Sequence, residues 1–331
     1  MGFIARLKGE KESRPKVKAV ILGAGEAAER LAAGYRSVKD IEFLGLKPLN
    51  QADNLHDMSG LQAVEVVAPR ELCADIAAQC LAAGLFTSLD LPSDITAVHN
   101  LQTLAQANNA ALRFRLYPIY YPPYREVKRL VEEMHLGQPL CLKLAVRRGE
   151  GTSLPEGFDL LAWIEEHELG YLALSHWLLG PVDKVYVQQP RREPSHMPAS
   201  TLIMWKYAEI HQYGYLQMDF CPELHIRTST DPVHRLLELT SVGGVIMVTR
   251  GEGQLMRMPV VIIRGKTTAT SLETVPDDWR EVYVNLARET HAHLTGEKPM
   301  ATTTQLVTSS LNLVKAARQS LSQGDEVSCQ Q

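Results

Sequence analysis

A glycine-rich loop between a β-branched run and an alanine-rich segment is the feature that most limits the fold. The run Val17–Leu22 predicts a short buried strand, and the pattern G-x-G-x-x-A follows it from Gly23 to Ala28. Gly23 allows a tight turn, Gly25 lets the backbone approach a phosphate, and small Ala28 lets the next helix pack closely on the strand. The N-terminus of that helix offers amide donors to an anion. The pattern predicts a dinucleotide site, and a tight turn without a ligand is the alternative.

Strands and helices alternate along the first 120 residues or so. The other predicted elements of this part are strands at 41–46, 63–67 and 112–116 and helices at 26–32, 72–83 and 96–108. Short strands that alternate with helices at this spacing are typical of a parallel sheet. We therefore predict an α/β fold that begins with a Rossmann-type, doubly wound parallel sheet.

The pattern changes after about residue 120, where apolar and polar residues alternate by twos. The predicted elements are strands at 140–146, 184–188, 202–211, 213–220, 236–240, 245–250 and 260–264 and helices at 124–134, 159–179 and 302–321. Such alternation is typical of an antiparallel sheet with one exposed face. We predict a C-terminal α+β domain with an open, mostly antiparallel sheet. The predicted regions are a flexible arm (1–16), a dinucleotide-binding Rossmann domain (17–121), a substrate and oligomerisation domain whose last helix packs back on the Rossmann half (122–323), and a tail (324–331).

Charge and hydropathy exclude several classes of protein. Lys and Arg number 34 against 38 Asp and Glu, so the formal charge of −4 lacks the basic excess that nucleic-acid binding requires. No apolar run reaches the ~18 residues of a membrane span, and the first residues lack the apolar core of a signal peptide. The five cysteines are scattered without a CxxC pair, which predicts reduced thiols in the cytoplasm.

The second strand gives a weak indication of cofactor preference. A dinucleotide fingerprint expects an acidic residue about 20 residues after the loop, to bind the ribose hydroxyls. The strand ends at Lys47-Pro48 without a carboxylate, and Asp53 lies further along the chain. Lys47 could neutralise a 2′-phosphate, which favours NADP over NAD. A solvated loop lysine is the alternative.

Five segments, in the same order along the chain, resemble motifs of the Gfo/Idh/MocA family of sugar and cyclitol oxidoreductases. AVEVVAPREL (63–72) is similar to the family's strand ending in ATPNxxH, AAGLFTSLDLP (82–92) to EAGKHVLCEKP, YPPY (121–124) to NPxF, LGQPL (136–140) to LGEPVxV, and LTGEKP (294–299) to xxxGxxP. The resemblance covers nearly the whole chain and implies a nicotinamide cofactor, NADP or NAD. Together with the glycine loop, it implies the cofactor-binding residues Gly23, Ala24, Gly25, Glu26, Ala27, Ala28, Lys47, Ala68, Pro69, Arg70, Asp90, Leu91 and Pro92.

The family's usual proton-transfer groups are absent. Leu91 stands where the family has the EKP lysine, which lies near the nicotinamide and assists proton transfer. Alignment of the family's DxGxHxxD helix on residues 177–182 puts Glu166 at the first Asp and Gly170 at the His. Cys73 replaces the histidine after ATPN. Either another residue moves the proton, or the chain catalyses different chemistry, or it catalyses none.

Three side chains are candidate proton-transfer groups: Tyr120, Tyr121 and Glu166. The tyrosines follow the strand at 112–116, and ligands of open α/β sheets bind at the carboxyl ends of strands. Glu166 lies on the helix face that the family uses. The same two regions supply the candidate substrate-binding residues Arg115, Tyr117, Tyr124, His167 and His176. The alternatives are an aromatic seam at the domain hinge and a solvated acidic run.

No metal site is predicted. Two predicted strands of the second half and the stretch after them carry the polar side chains Glu209, His211, Asp219 and His225. A metal needs three or four converging ligands, and polar pairs at a subunit contact are the interpretation that we favour. His291 and His293 are interpreted as a solvated helix face.

The residues and the resemblance together predict an NAD(P)-dependent oxidoreductase-like enzyme that acts on a small polar alcohol or carbonyl compound. An isomerase, lyase or cyclase on the same scaffold is one alternative, and a pseudoenzyme that binds a nucleotide or metabolite is another. The exposed sheet face predicts a homodimer or homotetramer, since members of the family commonly pair through it. Neither nucleic acid nor a membrane is an expected partner.

Overall fold

The computed structural model describes residues 16–92, 95–149, 159–189, 200–208, 211–221, 233–248, 260–264, 268–272, 274–276 and 278–329. The predicted arm (1–16, apart from Lys16) lies outside the described residues, and so do Glu209 and His225.

The glycine loop joins the first strand of a five-stranded sheet to its first helix. The elements are β1 (Val17–Leu22), α1 (Glu26–Arg36), β2 (Ile41–Lys47), a 3-10 helix (Leu49–Asp57), β3 (Leu61–Val66), α2 (Arg70–Ala82), β4 (Phe86–Leu89), α3 (Ile95–Ala107) and β5 (Leu112–Phe114). The strand order is β2-β1-β3-β4-β5, and every neighbouring pair is parallel. The predicted Rossmann-type sheet is confirmed. Because the strands are parallel, their carboxyl ends lie along one edge.

A larger sheet forms the second half. Its part of the chain contains a 3-10 helix (Tyr117–Tyr120), α4 (Pro122–Glu132), β6 (Pro139–Arg148), α5 (Leu160–Trp163), a π-helical turn (Ile164–Glu168), α6 (Leu169–Leu172), α7 (Leu174–Leu179), β7 (Val182–Gln188), β8 (Ser200–Tyr207), β9 (Tyr213–Phe220), β10 (Val233–Ser241), β11 (Gly244–Val248), β12 (Val260–Arg264), β13 (Thr268–Leu272), α8 (Arg280–Leu294), α9 (Thr304–Gln323) and β14 (Val327–Ser328). The strand order is β13-β12-β11-β10-β6-β9-β8-β7-β14. Within this sheet, β6 and β9 are the only described strands that pair in parallel, so the predicted open, mostly antiparallel sheet is confirmed.

The structure differs from the sequence-based elements at two places. The stretch predicted as one helix over 159–179 is divided by the π-helical turn, which holds one more residue per turn than an α-helix. The predicted tail contains β14, which pairs with β7 through Val327 and Val185, and Cys329 is buried beside it. The end of the chain therefore completes the second sheet.

The two last helices connect the halves of the chain. α8 packs on α1 so closely that a Cβ on Gly34 would lie 2.5 Å from the backbone of Tyr283. α9 lies on β7 and also contacts α3 and β5. None of the helices within the described ranges is long and apolar enough to cross a bilayer. These contacts bring α8 beside the carboxyl edge of the parallel sheet.

Candidate active site

A cleft of about 590 Å³ lies where the two halves of the chain meet. One wall comes from the carboxyl edge of the parallel sheet and the other from the π-helical turn, β10 and α8. The residues that line it are Glu26, Ala27, Arg30, Ala68, Arg70, Cys73, Asp90, Leu91, Arg115, Leu116, Tyr117, Pro118, Tyr124, Glu165, Glu166, His167, Glu168, Leu169, Gly170, Tyr171, Arg235, Trp279 and Tyr283. Ligands of open α/β sheets bind at this edge, so the cleft is the candidate active site.

The two glycines of the loop have different physical reasons to be glycine. Gly23 has a φ of +136°, and a Cβ there would lie 2.1 Å from the carbonyl oxygen of Val67. Gly25 also has a positive φ, of +89°, but a Cβ there would meet nothing within 4 Å. Gly23 is therefore required by the turn itself, whereas Gly25 leaves open space just before the N-terminus of α1. That space and the free helix end fit the phosphates of a dinucleotide.

The predicted cofactor-binding residues divide into two groups. The residues that line the cleft are Glu26, Ala27, Ala68, Arg70, Asp90 and Leu91. The others do not line the cleft, but each lies within three residues of a lining residue or, like Lys47, is hydrogen-bonded to the glycine loop. They are Gly23, Ala24, Gly25, Ala28, Lys47, Pro69 and Pro92. Lys47 pairs with Leu22 at the end of β2, and its carbonyl accepts the Gly23 N–H at 2.8 Å. The Pro92 carbonyl accepts a hydrogen bond from Arg70 at 3.3 Å.

The Asp90 side chain lines the cleft and is bound by the buried guanidinium of Arg115. Arg115 donates from Nε to Asp90 Oδ1 at 3.0 Å, and its Nη2 lies 2.9 Å from Asp90 Oδ2. The same guanidinium donates to the buried Glu65 carboxylate at 2.7 Å. Burial alone would raise the pKa of Glu65, but the positive charges of Arg113 and Arg115 hold that pKa below its ordinary value. The Asp90 carboxylate, 44% exposed, is thus fixed in one orientation at the end of β4.

The π-helical turn brings adjacent titratable side chains to the cleft. Glu166 and His167 both line it, and His167 Nδ1 lies 3.9 Å from Glu166 Oε2. The His167 ring stacks on Trp163 with centroids 5.0 Å apart. Buried Glu168 anchors the turn to β10, because it accepts a hydrogen bond from Arg235 Nε at 3.0 Å. π-helical turns are frequent at functional sites, and this one places an acid and a base side by side.

Two of the four predicted tyrosines line the cleft. The Tyr117 ring meets Tyr283 edge-on, with centroids 5.9 Å apart. Burial and the negative charge of Asp90 raise the pKa of Tyr117 well above its ordinary value, so its hydroxyl keeps its proton. Tyr124 is also buried, and its hydroxyl lies against that of Tyr171, which lines the same cleft. Both phenols are therefore candidate ligand contacts.

The two tyrosines predicted as proton-transfer groups are not among the residues that line the cleft. The Tyr120 hydroxyl is buried and donates to Glu289 at 2.6 Å, beside the hydroxyl of Thr302. Tyr121 is buried by Tyr124 and Trp279, with ring centroids 5.2 and 5.1 Å away. Both side chains are therefore packed in the interior and do not face the open space of the cleft.

The histidines occupy different environments from those that the pattern suggested. His176 is not in the cleft: its Nδ1 accepts the Val182 N–H at 3.2 Å, and burial lowers its pKa to about 4. The prediction of a solvated face was wrong for His291, which is 4% exposed. His293 packs against the ring of Phe86. Of the two histidines predicted to bind substrate, His167 lines the cleft and His176 does not.

The position that would carry the family's histidine is closed by packing. A Cβ on Gly170 would lie 2.8 Å from Pro118 Cδ and 3.6 Å from Leu116 Cα. Leu91, where the family's lysine would stand, lines the cleft with an apolar side chain. The cleft therefore has neither the family's histidine, at position 170, nor its lysine, at position 91.

Several cleft residues were missed by sequence reasoning. Trp279 and Tyr283 are four residues apart, a helical spacing that could have indicated a shared face. Arg30 lies one turn inside α1, and Arg235 approaches Glu168 from a strand 67 residues away, which no local pattern signals. Within the described ranges, no group of three or more His, Cys, Asp or Glu side chains is placed to hold a metal ion.

Comparisons with known proteins agree with this architecture. No protein-family model and no curated protein matches the sequence. An oxidoreductase from Agrobacterium radiobacter in complex with NAD+, L-tartaric acid and magnesium is similar in structure, with a TM-score of 0.73 over 95% of this chain and 98% of that chain, at 14% identity. A putative myo-inositol dehydrogenase from Sinorhizobium meliloti has a TM-score of 0.71 over 95% and 100% of the chains, at 14% identity.

A third similar structure carries a different ligand. Biliverdin reductase from Synechocystis, in complex with biliverdin and NADP+, has a TM-score of 0.64 over 92% of this chain and 98% of that chain, at 17% identity. These structures confirm the resemblance to Gfo/Idh/MocA-type oxidoreductases at the level of the fold. Two of the three structures hold a dinucleotide, NAD+ in the Agrobacterium protein and NADP+ in the Synechocystis protein.

Proposed function

We propose that this protein is an NAD(P)-dependent oxidoreductase that interconverts a small polar alcohol and its carbonyl compound. The observation that carries the proposal is the meeting of two features in one cleft. The glycine loop, open at Gly25, leads into the same space that holds Asp90, Tyr117 and Glu166. The dinucleotide-bound structures of the same fold support the assignment.

The cofactor would be bound along the carboxyl edge of the parallel sheet. A bound nicotinamide supplies or accepts the hydride. The amides at the start of α1 bind its phosphates, and Ala68 and Asp90 border it at the ends of the next strands. We assign NADP in preference to NAD, because β2 ends in Lys47 rather than in a carboxylate.

The proton is moved by groups on the two walls of the cleft. When a carbonyl is reduced, hydride reaches its carbon and a proton must reach its oxygen. Tyr117 keeps its proton and polarises the oxygen by a hydrogen bond. Glu166, with His167 beside it, exchanges the proton with the substrate. Tyr117 takes the place of Tyr120 and Tyr121 in this assignment, since those side chains do not line the open space.

The test begins with calorimetric titration of the purified protein with NADPH and NADH. We expect binding in the micromolar range, with NADPH the tighter ligand. Nicotinamide absorbance then reports turnover of a panel of sugars, cyclitols and small carbonyl compounds. Glu166→Gln should lower kcat about 100-fold or more while cofactor binding stays intact. Glu132→Gln, on an exposed carboxylate paired only weakly with Lys128, is the matched control and should be silent.

A non-redox enzyme, such as an isomerase or lyase, is the second candidate. It is favoured by the closed packing of Gly170 on Pro118, which excludes the family's histidine from its usual position. In that case Glu166 is the base and the tyrosines bind substrate. Absence of binding by either dinucleotide overturns the redox proposal and leaves this candidate.

We also infer that the protein is a homodimer or homotetramer assembled through the open sheet, and that it works in the cytoplasm. A groove of about 520 Å³ on the sheet face is lined by Tyr186, Leu202, Met204, Trp205, Lys206, Tyr213, Gly214, Tyr215 and Glu326. Tyr213 is 53% exposed there, and a second copy would cover it. All five cysteines are free thiols, which supports a reducing compartment.

A further inference from the structure

An ion pair stands on the wall of the cleft that α1 forms. Glu26 is the first residue of the helix, directly after Gly25. Its Oε1 lies 2.6 Å from Nη2 of Arg30, one turn further along, and both side chains line the cleft. A carboxylate therefore stands at the helix end that the proposed function gives to the cofactor phosphates. A negative charge at that position opposes phosphate binding unless a cation compensates it.

Arg30 is also held from the opposite wall. Its guanidinium forms a hydrogen bond with the phenol of Tyr283, which belongs to α8. The close approach of α8 to α1 at Gly34 fixes the distance between these two helices. The Arg30 side chain is 35% exposed, against 80% for Glu26. The guanidinium is thus anchored at the cleft, while the carboxylate reaches into solvent.

The ion pair between Glu26 and Arg30 is weaker than the one that Arg30 would form with a phosphate. An exposed ion pair between residues i and i+4 of a helix is weak, because water and salt screen it and two long side chains must be ordered. A guanidinium binds phosphate oxygens with two parallel charge-assisted hydrogen bonds. A phosphate that enters at Gly25 therefore competes successfully with Glu26 for Arg30.

We propose that Arg30 is a phosphate-binding residue of the cleft, and that its guanidinium leaves Glu26 to bind the dinucleotide pyrophosphate. Glu26 then acts as a built-in competitor that weakens the binding of the cofactor. The inference rests on the proposed function, since it takes the dinucleotide as the ligand. It assigns opposite effects on the affinity for the dinucleotide to two residues: Arg30 raises the affinity and Glu26 lowers it.

The test measures the affinities of four proteins, and of a fifth, charge-preserving variant, Arg30→Lys, for ADP, adenosine and NADPH by calorimetry. The proteins are the wild type and the variants Arg30→Met, Glu26→Gln and Arg36→Met. Arg30→Met should weaken the binding of ADP and NADPH about tenfold or more, and leave adenosine binding unchanged. Glu26→Gln should strengthen the binding of ADP and NADPH several-fold. Arg36→Met is the matched control, because Arg36 lies in the last turn of α1 and pairs with Glu29 at 3.6 Å.

The outcomes separate this inference from the proposed function. If the wild type binds NADPH and Arg30→Met binds ADP as well as Arg36→Met does, the inference is overturned and the proposed function stands. A Glu26→Gln variant that binds ADP more weakly than the wild type also overturns it. If the wild type binds neither dinucleotide nor ADP, both fail together. Thermal unfolding of each variant checks that the fold is intact, and Arg30→Lys, which keeps the charge, should retain part of the lost affinity.

Discussion

Arg113 Nη2 lies 2.5 Å from Glu65 Oε1 inside the core, with both side chains 1% exposed or less. The same guanidinium donates to the backbone carbonyl of Leu286 at 3.0 Å and lies 3.5 Å from the Glu289 carboxylate, so it joins β5 to α8. Glu65 in turn binds Arg115, which orients Asp90. One buried network therefore connects the interior of the sheet with both walls of the cleft.

Loss of Arg113 should be strongly destabilising. Arg113→Met leaves Glu289 and part of Glu65 without a compensating charge in the core, which costs about 3–5 kcal/mol of unfolding free energy. Urea denaturation measures the change. Arg147→Met is the control, because its partner Asp219 lies 3.8 Å away and the Arg147 side chain is 36% exposed, so that the pair is worth about 1 kcal/mol or less. Equal losses in the two variants would contradict the structural role of the network.

Two buried tyrosines should respond differently to loss of the hydroxyl. The Tyr120 hydroxyl is bonded to Glu289 and Thr302, whereas the Tyr124 hydroxyl has only a weak contact with the Tyr171 hydroxyl in the described part of the chain. Tyr120→Phe should cost about 1–3 kcal/mol, because the buried Glu289 carboxylate loses one of its hydrogen-bond donors and keeps the Ala301 N–H and Arg113. Tyr124→Phe should change the unfolding free energy by less than about 0.5 kcal/mol, since it removes only a weak contact with the Tyr171 hydroxyl, which keeps its hydrogen bond to the Leu236 carbonyl.

The Tyr124→Phe variant also tests whether the Tyr124 hydroxyl binds substrate. If its hydroxyl binds substrate in the cleft, Tyr124→Phe raises KM at unchanged stability. Thermal unfolding and steady-state kinetics on the same preparations provide both numbers. A Tyr124→Phe protein as unstable as Tyr120→Phe would show that the contact between the Tyr124 and Tyr171 hydroxyls is a strong structural hydrogen bond.

His176 should make the protein less stable as the pH falls from 6.5 towards 4. Burial lowers the pKa of this side chain from 6.5 to about 4 in the folded protein. In that window the unfolded chain binds a proton that the folded protein does not, so acidification favours unfolding by roughly 3 kcal/mol in total. In His176→Asn the amide oxygen can still accept the Val182 N–H, but nothing titrates. Urea denaturation at several pH values should show a shallower decline for that variant, and an unchanged decline would exclude His176 as the cause.

The first half of the fold could be predicted because its signals are local. The strand Val17–Leu22, the turn at Gly23 and the helix after Gly25 follow one another within a few residues, and each has its own steric reason. The alternation of strands and helices then fixes a parallel sheet. The position of the cleft follows from that topology alone.

The content of the cleft could be predicted only in part, because side-chain direction depends on geometry that periodicity does not contain. Tyr117 and Tyr120 begin and end the same short 3-10 helix, yet only Tyr117 reaches the open space. The π-helical turn adds one residue to a helix that was predicted as regular, so both Glu166 and His167 line the cleft. The approach of Arg235 to Glu168 joins elements far apart in the sequence.

A charge on the open sheet face should disrupt the proposed assembly. Tyr213→Glu places a carboxylate in the groove that a second copy would cover, and burial of an unpaired charge is costly. Light scattering coupled to size-exclusion chromatography should show a shift towards the monomer. Val242→Glu, at a hairpin position that is 70% exposed, is the control and should keep the wild-type mass. Equal masses for all three proteins would contradict assembly through this face.

A side chain introduced at position 170 should clash with Pro118 and lower the free energy of unfolding. Gly170→Ala puts a Cβ 2.8 Å from Pro118 Cδ, which forces a shift worth about 1–3 kcal/mol of unfolding free energy. Gly170→His should cost more and should not create the family's acid–base group. In a Pro118→Ala background, the cost of Gly170→Ala should fall, because the contact that it violates has been removed. Denaturation of the four proteins of this cycle measures the coupling, and an additive result would show that the glycine is not required by the proline.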